Sequence, residues 1–209
     1  MLFSQEKGEI GFFGGVSYYQ GDLNQTKLFY SPSKAYGIIY RYNFNPRFVL
    51  RADAIFATLK GNDQDFSSLY QKERNYSFST NITTIAFQTE FNFLPYLRKS
   101  KYQYFSPYLI AGFTFLIAPN PKSSFDFSLP FGFGFKYALS EKITVGLEWT
   151  YSKTFSDYLD QIPDDKPDIT QLPLSKQKNN SFNKDWYSYA GITLSFTLLQ
   201  ETGKCPAYK

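Results

Sequence analysis

Residues 127–155 alternate so regularly that few backbone conformations accommodate them. Leu129, Phe131, Phe133, Phe135, Tyr137 and Leu139 form one set, and Pro130, Gly132, Gly134, Lys136 and Ala138 the other. After Ser140-Glu141-Lys142 the pattern resumes, with Ile143, Val145, Leu147, Trp149 and Tyr151 against Thr144, Gly146, Glu148, Thr150 and Ser152. Strand side chains point to opposite faces with period two, so this stretch predicts a β-hairpin with one apolar, aromatic face and one small or polar face. Each arm exceeds the roughly 5–6 residues of an ordinary strand, and each polar face carries a single charge. Long strands with aromatics outward and small or charged residues inward describe a transmembrane barrel. The alternative, a soluble β-sandwich, calls for shorter arms and more charge on the wetted face.

The rhythm extends along the chain. Strands are expected over 8–19, with Ile10, Phe12, Gly14, Val16 and Tyr18 outward, and over 33–44 and 48–60, joined by the turn Asn45-Pro46-Arg47, where proline presets the geometry. Further strands are expected over 78–94, over 104–118 (the least clean alternation), and over 184–198, where Trp186, Ser188, Ala190, Ile192, Leu194 and Phe196 face outward. With the hairpin this makes about eight strands, the smallest membrane barrel. Connections alternate long (20–32, 61–77, 119–126, 156–183) and short (45–47, 95–103, 140–142). Such barrels have short periplasmic turns and long outer loops, so the short connections and both termini are expected in the periplasm. The expectation is an all-β chain: one eight-stranded antiparallel barrel domain over 1–209, with a periplasmic C-terminal tail over 199–209.

Composition agrees. Aromatics make up 21% of 209 residues, with 23 Phe and 18 Tyr, which suits girdles at two membrane interfaces. No run of about 18 apolar residues exists, so no transmembrane helix is expected. Residues 1–5 lack the basic start and apolar core of an export signal. Because a barrel of this kind must be exported, a signal is expected to have been removed, leaving Met1 as a remnant residue. A net charge of +4, spread along the chain, gives no footprint for nucleic acid.

The inward set carries Glu9, Arg41, Arg51, Asp53, Glu90, Lys136 and Glu148. An eight-stranded barrel is just wide enough inside for side chains, and a buried unpaired charge is costly. With Phe44 paired to Phe48 across the turn, Arg41 falls opposite Arg51 and diagonal to Asp53. Opposed arginines repel, so acids must lie nearby, with Asp53 and Glu90 the candidates; Lys136 is diagonal to Glu148. Two readings follow: a packed ionic plug or a narrow ion path.

Catalytic chemistry is hard to place. The chain has no His, which removes the commonest general acid–base group, Ser-His-Asp and Cys-His arrangements, and His-ligated metals. Gly132-Phe133-Gly134 lacks the third glycine and following helix of a dinucleotide fingerprint. Asp157, Asp160, Asp164, Asp165 and Asp168 lack the ligand spacing, turn glycine and final Glu of a calcium loop, and read as a solvated acidic loop. No catalytic residue, cofactor or metal is expected.

Two features point to partners. Arg98, Lys99 and Lys101 cluster in one short connection, where they fit a protein partner, lipid phosphate or plain solvation. Cys205 is the only Cys, so it can form no internal disulfide. In an oxidising periplasm it is either idle or an intermolecular tie.

Several segments together resemble a known family. They are Glu9-Ile10-Gly11-Phe12-Phe13-Gly14-Gly15 with Tyr18-Tyr19-Gln20-Gly21-Asp22-Leu23-Asn24, then Tyr40-Arg41-Tyr42-Asn43-Phe44-Asn45-Pro46-Arg47, and Lys153-Thr154-Phe155-Ser156-Asp157-Tyr158-Leu159-Asp160. In order and spacing they are similar to the PorG-type outer-membrane barrels of Bacteroidetes type IX secretion. The resemblance implies a non-enzymatic barrel that docks on a periplasmic ring formed by a lipoprotein, PorK, and its partner, PorN. The alternative is a small pore or lipid-binding outer-membrane barrel.

Overall fold

A strand with one apolar face must pair on both edges if it is to enter lipid, because unpaired backbone groups cannot be solvated there. The computed structural model describes residues 6–21, 24, 27, 29–66, 77–98, 102–118, 125–155 and 185–200. Eight strands close into one antiparallel barrel in chain order: β1 (Glu6–Gln20), β2 (Ser33–Asn43), β3 (Phe48–Asn62), β4 (Ser77–Asn92), β5 (Phe105–Ile117), β6 (Phe125–Ala138), β7 (Ile143–Thr154) and β8 (Trp186–Gln200). β1 pairs with β8 from Glu6↔Gln200 to Gln20↔Trp186, so every strand has two neighbours.

Most strands are found where expected, with boundaries shifted by one to two residues. The β3–β4 ladder continues through Gly61↔Phe78 to Asn62↔Ser77, ahead of a short 3-10 turn over Asp63–Asp65, so both edges of the expected 61–77 loop are strand. β8 continues past the expected start of the tail, because Leu199 pairs with Gly8 and Gln200 with Glu6. β5 does alternate in space, with Leu109, Phe113 and Phe115 outward and Tyr108, Ile110, Thr114 and Leu116 inward. Its inward residues are largely apolar too, and that hides the period.

The turn after β2 sets the register. Asn45 Oδ1 accepts hydrogen bonds from the backbone N–H groups of Arg47 and Phe48, both at 2.8 Å. Phe44 N donates to Phe48 O at 3.0 Å. The ladder then places Arg41 opposite Arg51. The connections 44–47, 93–104 and 139–142 share one rim with the start of β1 and the end of β8, as the up-and-down order requires.

Outside, Phe12, Tyr36, Phe87, Phe131, Leu147 and many like them are exposed around the whole circumference. Cross-strand aromatic contacts knit this surface, such as Phe115–Phe127 at 4.5 Å and Phe87–Phe113 at 5.6 Å between centroids. A continuous apolar belt on a soluble monomer would be an aggregation surface; on a closed barrel it is the face a bilayer covers. Tyr18 faces outward as expected but is buried, because Phe29 from the β1–β2 connection lies 4.9 Å from its ring and 5.8 Å from Trp149. The Trp149 indole N–H also reaches the Tyr18 and Ser188 hydroxyls, tying β7, β8 and β1 together from outside.

Inside, an apolar cluster including Tyr19, Ile39, Ile55, Leu59, Leu116 and Tyr187 occupies the half toward the long connections, where Tyr19 donates to the buried Asp185, and the arginine-centred charged cluster occupies the other half. At the β1–β8 seam Gly15 faces Gly191. A Cβ on Gly15 would stand 2.2 Å from the Ala190 carbonyl oxygen, whereas one on Gly14 would meet nothing within 4 Å. Gly15→Ala should therefore lower stability by roughly 1–3 kcal/mol through overpacking. Gly14→Ala should leave it unchanged or raise it by about 0.4–1 kcal/mol, through a less disordered unfolded chain. The urea midpoint of the heat-modifiable band in detergent measures both.

Candidate functional site

Arg41 and Arg51, opposed on β2 and β3, would repel unless carboxylates stood between them. Arg41 Nε pairs with Glu90 Oε1 of β4 at 2.7 Å, and its Nη1 donates to Ser195 Oγ of β8 at 2.6 Å. Arg51 donates from Nε to Asp53 Oδ2 at 2.9 Å. Its Nη1 and Nη2 form a two-pronged pair with Glu148 of β7 at 2.7 and 2.9 Å, the fork geometry that makes such pairs strong. Glu90 also accepts from Lys136 Nζ of β6 at 3.1 Å, and that ammonium lies 5.1 Å from the Tyr96 ring and 5.0 Å from the Tyr108 ring. The Tyr108 hydroxyl donates to Glu148 Oε2 at 3.1 Å. Every charged side chain in this cluster is at most 5% exposed.

Glu9 of β1 lies opposite Arg41 across the ladder but takes its direct ion pair from elsewhere. Its Oε1 accepts from Asn43 Nδ2 at 2.6 Å and pairs with Arg98 Nη2 at 3.1 Å. Arg98 was expected in a basic cluster open to a protein partner, lipid phosphate or solvent. Instead its side chain is 5% exposed, and it also donates to Thr197 Oγ1 of β8. The physical reason is Glu9, a buried carboxylate that would otherwise lack a cation. Lys99, Lys101 and Cys205 lie outside the described residues.

Tyr96 works beside Arg98. Its backbone N–H donates to Pro46 O at 3.0 Å, and its hydroxyl is 2.8 Å from Thr144 Oγ1 of β7. Burial pushes this phenol up, so it stays protonated at neutral pH. The 93–104 connection joins β4 to β5, yet it touches β7, β8 and β1 on the far wall. Through Tyr96 and Arg98 it therefore reaches over the mouth of the barrel to the opposite wall.

With Arg98 included, four cations (Arg41, Arg51, Arg98 and Lys136) face four carboxylates (Glu9, Asp53, Glu90 and Glu148). The inward set read from alternation held three cations and four acids, and that excess acid was the one signal in the sequence for a further cation. Nothing in the strand pattern pointed to Tyr96. Beyond Arg51 and Asp53, toward the long connections, a cavity of about 10 Å³ is bordered by Thr84, Gln88, Tyr187 and Tyr189. It has room for about one water, and the Gln88 Oε1 atom has no protein hydrogen-bond partner.

Arg51→Leu should strand Asp53 and Glu148 and cost on the order of 3–5 kcal/mol. The readout is the urea midpoint of the heat-modifiable band, with Lys142→Gln on the exposed 139–142 turn as the unchanged control. An unaltered midpoint for Arg51→Leu would contradict the pairing.

A family model described as "Domain of unknown function (DUF6089)" matches residues 2–207. No curated protein matches the chain. Among solved structures, Neisserial surface protein A (NspA) is similar at 12% identity over 91% of this chain and 97% of that one, with a TM-score of 0.55. Ail of Yersinia pestis, solved with the heparin analogue sucrose octasulfate, is 12% identical over 91% and 98%, with a TM-score of 0.47. OprG from Pseudomonas aeruginosa is 13% identical over 92% and 97%, with a TM-score of 0.45. At these identities the likeness is one of fold, and NspA carries it: a closed antiparallel barrel of the outer-membrane kind.

Proposed function

The chain belongs to the DUF6089 family, and we propose that it is a non-enzymatic outer-membrane barrel that anchors a periplasmic assembly, with both termini in the periplasm. The observation that carries this reading is the filled, charge-balanced lumen. Fixed charges that neutralise one another disfavour a solvated path for an ion, and Glu9, Asp53, Glu90 and Glu148 each have a cation within 3.1 Å. An interior committed to its own pairing moves the protein's work to its rims. The absence of His from the sequence argues in the same direction against an acid–base enzyme.

The identity of the assembly rests on the resemblance to PorG-type barrels. On that reading the partner is the type IX secretion ring, a PorK-like lipoprotein with its PorN-like companion, met at the short-turn rim. Because Arg98 is held by Glu9, the rim positions proposed for docking are Lys99, Lys101 and the tail carrying Cys205, which is the proposed intermolecular tie.

The test is a pull-down from solubilised membranes with a tagged chain, run beside planar-bilayer recording of the purified barrel. Co-purification of the ring lipoprotein, weakened by removing residues 201–209 or by Lys99→Gln with Lys101→Gln, is expected, together with a silent bilayer. Recovery of the barrel alone would sink the ring assignment. Stable unitary conductance would favour the small-pore reading instead. A non-reducing gel of thiol-blocked membranes, wild type beside Cys205→Ser, tests the covalent tie; without a higher-mass band in wild type that part fails.

A further inference from the structure

The outer wall of β2, β3 and β4 changes character near the long connections. Tyr36 and Phe56 pair across β2 and β3 with ring centroids 5.9 Å apart, and they are 63% and 46% exposed. The β2–β3 ladder ends one step on, at Ala35 opposite Ala57; the next residue on β2 is Lys34 and the next on β3 is Thr58, which pairs with Asn81 of β4. Two residues on, Lys60 pairs with Ser79. Lys34, Lys60, Ser79 and Asn81 are all exposed on this outward face.

The two lysines occupy diagonal positions on adjacent strands, about 7–8 Å apart at the backbone. Among the described residues neither lysine has an ion-pair partner, so no carboxylate there offsets the two like charges. The neighbouring amide is oriented: the Thr58 hydroxyl donates to Asn81 Oδ1 at 2.9 Å, which leaves the Asn81 Nδ2 protons for another acceptor. Donors and positive charge therefore converge above a pair of exposed aromatic rings. This is the layout of an amphiphile with an anionic head and apolar chains, at the level where the belt gives way to polar residues.

We propose that Lys34, Lys60 and Asn81 bind the phosphate of an anionic lipid headgroup in the leaflet at the long-connection rim, with the acyl chains lying on Tyr36 and Phe56. The proposal requires only that the barrel is inserted in a bilayer; it does not depend on the secretion ring. An anion relieves the repulsion between the two ammonium groups, and each lysine at a membrane surface contributes about a fivefold gain in affinity for anionic lipid.

The experiment uses the full chain refolded into vesicles of phosphatidylcholine alone or mixed with phosphatidylglycerol. Retention of phosphatidylglycerol is read by native mass spectrometry, and stability by the urea midpoint. Wild type should retain phosphatidylglycerol and gain stability from it. Lys34→Gln with Lys60→Gln should retain it roughly 25-fold less and lose the gain, while Lys142→Gln at the other rim should behave as wild type. If the double variant does not refold, Lys60→Gln alone, expected to retain about fivefold less, decides. Equal retention by wild type and the lysine variants overturns the proposal, as does an equal loss from Lys142→Gln, which would mark diffuse surface charge. A gain from inorganic phosphate in phosphatidylcholine vesicles that matches the gain from phosphatidylglycerol would also overturn it, by marking a free-anion site. The ring pull-down is indifferent to all of these outcomes.

Discussion

Closure of the ladder is the condition on which everything else in this protein depends. A sheet in hydrocarbon cannot leave an N–H or C=O unpaired, so β1 must find β8, and that pairing runs the full length of both strands. Once the sheet is closed, alternation becomes a division of space: odd and even positions are assigned to lipid or lumen with no intermediate. The seam itself is built for close approach. Gly15 and Gly191 face each other where a side chain would strike backbone, and the Trp149 indole bridges to hydroxyls on both closing strands from the lipid side. Glycines let the edges meet, and a side chain of the neighbouring β7 holds them from outside.

The interior follows from the size of the barrel. Eight strands enclose a space that side chains fill, and here one half is filled by apolar groups and the other by ions. Buried ion pairs stabilise less than their geometry suggests, because desolvation offsets the attraction, whereas removing one partner is severe. Their value here is specificity. Arg51 contacts Asp53 two residues away on its own strand and Glu148 on β7, so a one-residue slip of either ladder would leave charges unpaired. Lys136, held between two tyrosine rings and Glu90, adds β6 and β4 to the same constraint.

Much of this was legible in one dimension. Period-two alternation marks eight strands and the direction of most side chains, and Asn45-Pro46-Arg47 is enough to bring Arg41 opposite Arg51. The pairings that cross the lumen were not legible: Glu148 meets Arg51 only because β7 and β3 face each other after closure, and no local pattern encodes that distance. The burial of Tyr18 was hidden for a related reason, since its cover, Phe29, comes from a connection and not from a strand. The burial of Arg98 against Glu9 was not legible because alternation says nothing about connections. A charge balance over the lumen points to it, and only the fold shows that the 93–104 segment can reach across to Glu9.

The two rims therefore differ in a way that bears on function. At the short-turn rim a connection folds inward, and its cation and phenol complete the lumen's pairing. At the other rim the β3–β4 hairpin extends beyond the aromatic belt, with Lys60 of β3 and Lys34 of β2 on the outer wall. A barrel that neutralises its interior has little field left to direct ions through itself, and what field it presents is at its outer surfaces. The reach of Arg98 and Tyr96 over the short-turn mouth has a further consequence. A partner that bound at that rim and displaced the connection would uncover Glu9, and the cost of an unpaired buried carboxylate would oppose it. Docking on the connection where it lies, with the lumen left intact, is the lower-energy arrangement, and it fits an anchor better than a gate.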